Sequence, residues 1–337
     1  MNRSSHTPGF SRRHAVGLFA MAPLIGMTAC SGSSVMPSGW ERAVVSGAYV
    51  PVRKNWQHTA VPKGIGLFSD MWQETAAPAH VLAVGVPSAG LDPQGLMAEA
   101  ESALRSGLPG FRVTSQPASA ERDGTQILYE DFATTFSGAT TGRIWLLTDE
   151  RTSVAVMLTA ETLDKSYRDV VDTELSLLPN DLPAVDSGWA RVGRGATSFA
   201  VPGSWKVTGA PAGSTRWTDS WADADLDGAA RVRVLLASDT GEPGVVDALA
   251  QIESDAVAGA LPRYARLSEP VELALDGQED ASGTRVDFAY GNGRNSRGSL
   301  WVLKVADTVS AIQLAFSGAA DESIVAGMER SIWLNAD

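Results

Sequence analysis

The chain has one cysteine and only four histidines in 337 residues. A single cysteine excludes an internal disulfide, and so few histidines leave little material for a zinc site or a histidine-based catalytic centre. Basic residues are also outnumbered, with 27 Lys and Arg against 39 Asp and Glu and a formal net charge of −12. Such a field repels polyanions, so nucleic acid is excluded as a partner.

The first thirty residues have the pattern of an export signal. Basic residues that include Arg12 and Arg13 precede an apolar run that is shorter than the roughly 20 helical residues of a permanent membrane span. The run ends at Met-Thr-Ala-Cys30, which resembles a bacterial lipobox. We predict a signal peptide over residues 1–29, a lipid on Cys30 and a tether over residues 30–38. The arginine pair is also typical of twin-arginine export, and the choice between that route and general secretion stays open.

The rest of the chain is a duplication. Three tryptophans recur 149 positions later, and a fourth pair follows after loops of different length. The pairs are Trp40/Trp189, Trp56/Trp205, Trp72/Trp221 and Trp145/Trp301. An internal repeat of this length indicates two homologous domains, each large enough to bury a core. We predict repeat one over residues 39–178, a linker over 179–186 and repeat two over 187–337. Whether the repeats pack together stays open.

Each repeat is predicted to contain a mainly antiparallel sheet covered by two helices, which places the fold in the α+β class as tandem α/β sandwich domains. The predicted helices are Asp92–Arg105, Asp164–Leu178, Val245–Ala260 and Glu322–Leu334. The predicted strands are Ala48–Val52, Gly64–Ser69, His80–Val86, Arg112–Ser115, Thr125–Phe132, Arg143–Thr148, Ser153–Thr159, Thr197–Val201, Thr215–Ser220, Ala230–Ala237, Ala265–Pro270, Thr284–Tyr290, Leu300–Val305 and Val309–Phe316. The inner stripe of the first helix consists of Leu96, Met97, Ala100 and Leu104.

This element order resembles a known family. Three strands, a helix, four strands and a helix, with an opening such as Val201-Pro202-Gly203-Ser204-Trp205, are similar to the PsbP-like fold. Together with the lipobox, the chain resembles the actinobacterial LpqN/LpqT lipoproteins, here with two tandem domains. The opening of repeat one departs from the pattern, because four residues separate Pro51 from Trp56. The resemblance implies a non-enzymatic envelope role and assigns no catalytic residue.

One acidic loop has the beginning of a calcium-binding motif. Asp223, Asp225 and Asp227 alternate before a glycine, as oxygen ligands do in a calcium loop. The later ligand positions do not fit the motif. Arg231 stands at position nine, and Val234 stands at position twelve, where a calcium loop has a glutamate. An exposed hairpin turn accounts for the same residues, so both interpretations stay open.

Two further features are candidate ligand contacts. Most tryptophans pair between the repeats and are expected in the core, whereas Trp217 corresponds to Phe68 and is a candidate for stacking on a ligand. The glycine-rich loop of residues 291–298 carries Arg294 and Arg297. Its arginines and backbone N–H groups could bind an anion, and an ordinary hairpin turn accounts for the same residues, so both interpretations stay open. No cofactor is expected.

Two functional hypotheses remain. The first is a lipoprotein on the outer face of the cell membrane that binds an envelope protein or an apolar envelope component. The second is an exported hydrolase or cell-wall enzyme. Its candidate carboxylates are the repeat-matched pairs Asp70/Asp219 and Asp131/Asp287. Their matched places beside aromatic residues favour structural hydrogen bonds over acid and base roles. His58 and His80 are expected at the surface or at strand ends.

Overall fold

Strands dominate both repeats in the computed structural model. It describes residues 36–62, 66–74, 80–89, 92–135, 138–180, 182–223, 231–275, 278 and 280–335. The strands of repeat one are β1 Trp40–Val45, β2 Ala48–Arg53, β3 Gln57–Ala60, β4 Phe68–Gln73, β5 Val81–Gly85, β6 Arg112–Val113, β7 Ala118–Arg122, β8 Thr125–Thr134, β9 Thr140–Thr148, β10 Ser153–Ala160 and β11 Ser176–Leu177. Its helices are α1 Pro93–Gly107 and α2 Lys165–Glu174.

Repeat two follows the same order. Its strands are β12 Trp189–Arg194, β13 Thr197–Pro202, β14 Lys206–Val207, β15 Asp219–Ala222, β16 Val232–Ala237, β17 Ala265–Arg266, β18 Val271–Glu272, β19 Ala281–Tyr290, β20 Ser296–Val305, β21 Thr308–Phe316 and β22 Trp333–Leu334. Its helices are α3 Val245–Asp255 and α4 Glu322–Ser331, and a π-helical turn over Ala256–Ala260 extends α3. All the strand pairs are antiparallel, which agrees with the predicted α+β class.

The two repeats share one sheet. Each repeat has an eight-stranded sheet of its own, and a third sheet runs β11-β2-β1-β12-β13-β22 across both. Strands β1 and β12 meet antiparallel, with Ala43 opposite Arg194 and Val44 opposite Gly193. Because Val44 and Gly193 are themselves 149 positions apart, the sheet is symmetric about this pair. The repeats are therefore related like the subunits of a two-fold dimer.

The core lies on both faces of each eight-stranded sheet. In repeat one, one face packs against the shared sheet and α2, and the other packs against α1. Repeat two has the same two layers, with α4 on the shared-sheet side and α3 on the other. Seven of the eight paired tryptophans are buried, and Trp189 is half-buried at the margin of its cluster. Their expected place in the common core is confirmed.

Helix α1 forms as the sequence predicts. Asp92 caps its N-terminus by accepting hydrogen bonds from the backbone N–H of Gln94 at 2.9 Å and of Gly95 at 3.3 Å. Pro93 follows at the first helical position, where its missing N–H is not needed. The predicted inner stripe is buried on the sheet.

The closing helices are shorter than predicted. Helix α2 ends at Glu174 and the chain then pairs as β11 with β2, while α4 ends at Ser331 before β22 pairs with β13. Arg122 donates to the carbonyl oxygens of Asp172 and Leu175, at 2.6 and 3.1 Å, and so satisfies the end of α2 without another helical turn. The local apolar pattern did not reveal this cap because Arg122 is distant in sequence.

Several strand predictions were also wrong. Strands β1, β3, β7, β12, β14 and β18 were not predicted. The strand expected at Gly64–Ser69 begins at Phe68 and continues to Gln73, and the one expected at Thr215–Ser220 is β15, from Asp219. The segment Ala265–Pro270 contains only the two-residue β17. These short strands are defined by pairing with distant segments more than by their own sequence.

In both repeats a glycine stands three residues before a core tryptophan, at Gly142 before Trp145 and at Gly298 before Trp301, and this Gly-x-x-Trp motif has a packing reason. A Cβ atom at Gly142 would lie 2.4 Å from the ring of Phe132, and one at Gly298 would lie 2.2 Å from Phe288. The glycines thus allow each phenylalanine ring to cross the neighbouring strand. The motif marks the core and not a ligand site.

Candidate functional site

A cleft lies on repeat two, on the face of its sheet that carries α3. It has a volume of about 830 Å³, within the usual range for small-molecule sites. Its walls are the loop of residues 211–217, strands β16 and β21, the end of β19 and the turn after α3. The lining side chains with polar or aromatic groups include Arg216, Trp217, Arg231, Arg233, Asp255, Tyr290 and Gln313.

The structure places Trp217 in this wall. The residue is half-buried, and its backbone N–H donates to Ser214 Oγ at 2.9 Å, which fixes the loop on which it lies. Nearby, the Tyr290 hydroxyl donates to the carbonyl oxygen of Phe316 at 2.9 Å. Burial raises the pKa of Tyr290, so its hydroxyl stays neutral. The two aromatic side chains give the cleft an apolar surface with hydrogen-bonding edges.

The charged groups in the cleft are arginines and one aspartate. Arg216 Nη2 donates to Asp255 Oδ2 at 2.9 Å. Arg216 Nη1 is buried and has no hydrogen-bond partner among the described residues. The Arg233 side chain projects from the same face of β16 as the cleft-lining Leu235. The cleft therefore offers cationic donors in a protein that is acidic overall.

Repeat one has apolar residues at four of these lining positions. The matched registers β4–β5 and β15–β16, in which Trp72 faces Leu82 and Trp221 faces Val234, align the two sheets residue by residue. The counterparts in repeat one are Leu67 for Arg216, Phe68 for Trp217, Val81 for Arg233 and Met157 for Gln313. Leu67, Phe68 and Met157 belong to one apolar cluster. The common fold thus needs only apolar residues at these places.

A buried charge network joins the repeats. We use the name inter-repeat charge network for Glu41, His58, Asp70, Arg194 and Asp219. His58 lies between two carboxylates, with Nδ1 2.8 Å from Asp219 Oδ1 and Nε2 3.1 Å from Asp70 Oδ1. Its ring stacks on Trp72 with centroids 4.1 Å apart. The repeat-matched aspartates thus meet at one histidine.

The electrostatics of the network favour its charged forms. Burial alone would lower the pKa of His58, but the hydrogen bonds to Asp219 and Asp70 raise it above the ordinary value. Burial likewise opposes ionisation of Asp219, whereas the positive charge of Arg194 and the bond to His58 lower its pKa. Buried carboxylates that are already paired with a histidine and an arginine fit a structural role better than proton transfer to a substrate.

The second carboxylate pair is also engaged in ion pairs. Asp131 accepts from Arg143 Nε at 2.7 Å, and Asp287 accepts from Arg285 Nε at 3.0 Å. In each repeat the same arginine also bonds an acidic residue of the closing helix, which in turn accepts from the core tryptophan. These contacts tie the helix to the sheet and agree with the structural hydrogen bonds expected from the sequence.

Of the two positions expected for the histidines, the surface was wrong and the strand ends are confirmed, because His58 is the second residue of β3 and His80 directly precedes β5. His58 is 2% exposed and His80 is 4% exposed. His80 precedes β5, stacks on Tyr167 with centroids 4.2 Å apart, and places Nδ1 2.9 Å from Glu74 Oε2. Each histidine is buried because it has an acidic partner and an aromatic neighbour. The sequence around a histidine does not show which residues from distant segments will surround it.

The predicted calcium site falls largely outside the described residues, which include neither Asp225 nor Asp227. Asp223 is described, and its Oδ1 accepts the backbone N–H of Val232 at 2.7 Å. Within the described part of the chain, no group of three or more His, Cys, Asp or Glu side chains is placed to hold a metal ion.

The structure does not bring the basic loop to the cleft. Arg294 is exposed with a positive φ of 55°, and Arg297 Nη1 donates to the carbonyl oxygens of Arg294 and Ser296. Arg297 lines a separate depression that also contains Arg285 and Asp287. The loop therefore turns back on its own backbone.

The predicted export signal and lipidation site, with Arg12, Arg13 and Cys30, lie outside the described residues. Among the helices that are described, none is long and apolar enough to cross a membrane.

Sequence reasoning missed most of the cleft. Of the side chains with polar or aromatic groups that line the cleft, only Trp217 was predicted as a ligand contact. It was chosen because the matching position in repeat one holds Phe68 and not a tryptophan. The same comparison between repeats identifies Arg216, which stands where repeat one has Leu67. Arg233 and Gln313 required the sheet register, since the loops before them differ in length.

Comparisons with known proteins give limited likeness. No protein-family model matches the chain, and no curated protein matches it. The solution structure of cyanobacterial PsbP (CyanoP) from Synechocystis sp. PCC 6803 is similar over 45% of this chain and 99% of its own, with 11% identity and a TM-score of 0.33. The crystal structure of a putative thioesterase II from Thermobifida fusca YX covers 77% of this chain and 100% of its own, with 14% identity and a TM-score of 0.12. The first match spans about the length of one repeat.

Proposed function

We propose that this chain is an exported lipoprotein, held on the outer face of the cell membrane by a lipid on Cys30, with a non-enzymatic binding or scaffolding role. The anchor is supported by the sequence around Cys30, where an apolar run with preceding arginines ends in small residues. The partner is a protein or an apolar component of the cell envelope. Nucleic acid is not a partner, because the chain carries a net charge of −12.

The observation that carries the binding role is the cleft of about 830 Å³ in repeat two. Its counterpart in repeat one is filled by an apolar cluster. Since the two repeats have the same fold, the difference reflects a demand other than folding. An open cleft on a rigid sheet suits the holding of a partner.

We further propose that the repeats are PsbP-like domains and that the chain is a tandem member of the LpqN/LpqT lipoprotein kind. This proposal is supported by the element order, by the opening at Val201-Pro202-Gly203-Ser204-Trp205 and by the lipobox residues that end at Cys30.

The anchor leads to one prediction. Cys30→Ala removes the thiol that receives the lipid, so we expect loss of palmitate label and a shift of the protein out of the lipid-anchored form. Metabolic labelling with radioactive palmitate and detergent phase partitioning measure this. Ser31→Ala is the matched control and should keep both properties. Retention of label in Cys30→Ala would show that the anchor is elsewhere.

The binding role leads to a second prediction. With a photoactivatable benzoyl-phenylalanine in place of Trp217, irradiation of intact cells should give a discrete adduct, identified by mass spectrometry as a protein or an envelope molecule. The control carries the same group at Val86, which is 58% exposed on repeat one and should give only background. Equal background at both places, in folded protein, would sink the proposed role of the cleft.

A further inference from the structure

We propose that the cleft on repeat two binds an organic anion, meaning a carboxylate, phosphate or sulfonate group attached to an apolar or aromatic body. This inference rests on the proposed binding function and names the chemical class of the ligand. Four observations carry it: a cationic donor and a second arginine that have no partner among the described residues, an aromatic wall, and the apolar counterpart in repeat one.

The unsatisfied donor belongs to Arg216. One terminal nitrogen, Nη2, is paired with Asp255, while the other, Nη1, is buried and has no hydrogen-bond partner among the described residues. A buried donor without an acceptor is unfavourable, and charged donors more so. A ligand oxygen in the cleft would satisfy it. The pairing with Asp255 holds the guanidinium in place, so little side-chain entropy is lost when the anion binds.

The second arginine is Arg233. Its guanidinium forms no hydrogen bond or ion pair with any other described residue. It lies near enough to Tyr290 to act on that hydroxyl electrostatically. Arginine presents paired N–H groups that match the geometry of carboxylate and phosphate oxygens. Arg216 and Arg233 therefore supply anion recognition from two walls of the cleft.

The apolar part of the ligand is indicated by Trp217 and Leu235. Trp217 is half-buried in the cleft wall, and Leu235 is buried two positions after Arg233 on β16 and lines the same cleft. A cleft of about 830 Å³ accommodates a drug-sized molecule and is concave, which favours a small ligand over a flat protein surface. An anionic head on the arginines would place the apolar body against these side chains.

Repeat one shows that these features are not needed for folding. The two arginine positions are Leu67 and Val81 there, and the tryptophan position is Phe68. The chain as a whole repels anions, with a net charge of −12. The arginines in this cleft therefore form a locally basic site in a chain that is acidic overall. A specific anionic ligand explains why they are present.

The test uses two dyes that differ only in the anionic group: 1-anilinonaphthalene-8-sulfonate and the neutral N-phenyl-1-naphthylamine. Titration followed by fluorescence and calorimetry should give one saturable site for the sulfonate and at least tenfold weaker binding of the neutral dye. Arg233→Val and Arg216→Leu introduce the residues of repeat one, and each should weaken sulfonate binding tenfold or more. Arg112→Gln, an exposed arginine on repeat one, is the control and should leave it unchanged.

Competition identifies the source of the anion. Displacement of the dye by dodecanoate would indicate a lipid-derived acyl anion, and displacement by 1-naphthyl phosphate alone would indicate an aromatic metabolite. Equal affinity for both dyes, unchanged affinity in the two folded arginine variants, or no saturable sulfonate binding would overturn the inference. If the neutral dye binds equally well and Trp217→Phe weakens it, the binding role survives and only the anionic ligand is rejected.

Discussion

Replacing Arg194 with methionine lowers the free energy of unfolding by about 3–5 kcal/mol, the usual result of leaving a buried charge without its partner. Arg194 is 1% exposed, and its Nε donates to Glu41 Oε1 at 2.6 Å. Nη1 lies 3.5 Å from Asp219 Oδ2, and Nη2 donates to the carbonyl oxygen of Arg53 at 3.0 Å. Methionine fills much of the volume but leaves the Glu41 carboxylate buried without its cation, and it leaves Asp219 with His58 as its remaining partner.

Urea unfolding monitored by tryptophan fluorescence measures this loss. The control is Arg112→Met, which removes one exposed arginine and should change stability by less than about 0.5 kcal/mol. Adding Glu41→Gln to Arg194→Met should recover part of the loss, because the carboxylate left buried without its cation is then neutral. A loss below about 1 kcal/mol in Arg194→Met would mean that the network contributes little to joining the repeats.

Replacing Glu130 with glutamine stabilises the protein at pH 8 by about 3 kcal/mol and has little effect at pH 4. Glu130 is 1% exposed, and Oε1 has no hydrogen-bond partner among the described residues. Burial, followed by the negative charge of Glu101, raises the pKa of Glu130 from 4.5 to about 7, while Arg105 acts in the opposite direction. Because the folded pKa is the higher one, the unfolded chain loses the proton first. Stability therefore falls as the pH rises from about 4.5 to about 7 and then levels off.

The measurement is the unfolding free energy of wild type and Glu130→Gln at pH values between 4 and 8. Glu121→Gln, which is exposed on β7, is the control and should follow wild type throughout. Glu130→Val introduces the residue found at Val286 in repeat two, where the side chain is fully buried, and should show the same pH dependence as the glutamine variant. Parallel curves for wild type and Glu130→Gln would contradict the raised pKa.

Both predictions concern places where the repeats have diverged. Arg194 stands where repeat one has Val45, and Glu130 stands where repeat two has Val286. His58 has Val207 as its counterpart and still bridges the matched aspartates Asp70 and Asp219. The common fold thus rests on apolar pairs, while the polar differences hold the repeats together or open a cleft.

Several features of the fold could be predicted from the sequence. The burial of most of the paired tryptophans and the inner face of α1 followed from spacing alone, because a helix face repeats every three to four residues and a duplication preserves its core. The start of α1 was likewise predicted at Asp92, which the structure shows to cap the helix. These are local or repeated signals, and they need no knowledge of how distant segments meet.

The tertiary structure decided the features that depend on distant pairing. Strands β1 and β12 are 149 residues apart and have no strong pattern of their own, so their pairing emerged only with the shared sheet. The burial of His58 and Arg194 depends on partners from the other repeat, because a buried charge is tolerated only where an opposite charge is brought to it. The cleft beside Trp217 depends in the same way on the β16–β21 register, which sets Arg233 and Gln313 on one face. Sequence determined the duplicated core, and the non-local register of the strands determined which polar residues meet.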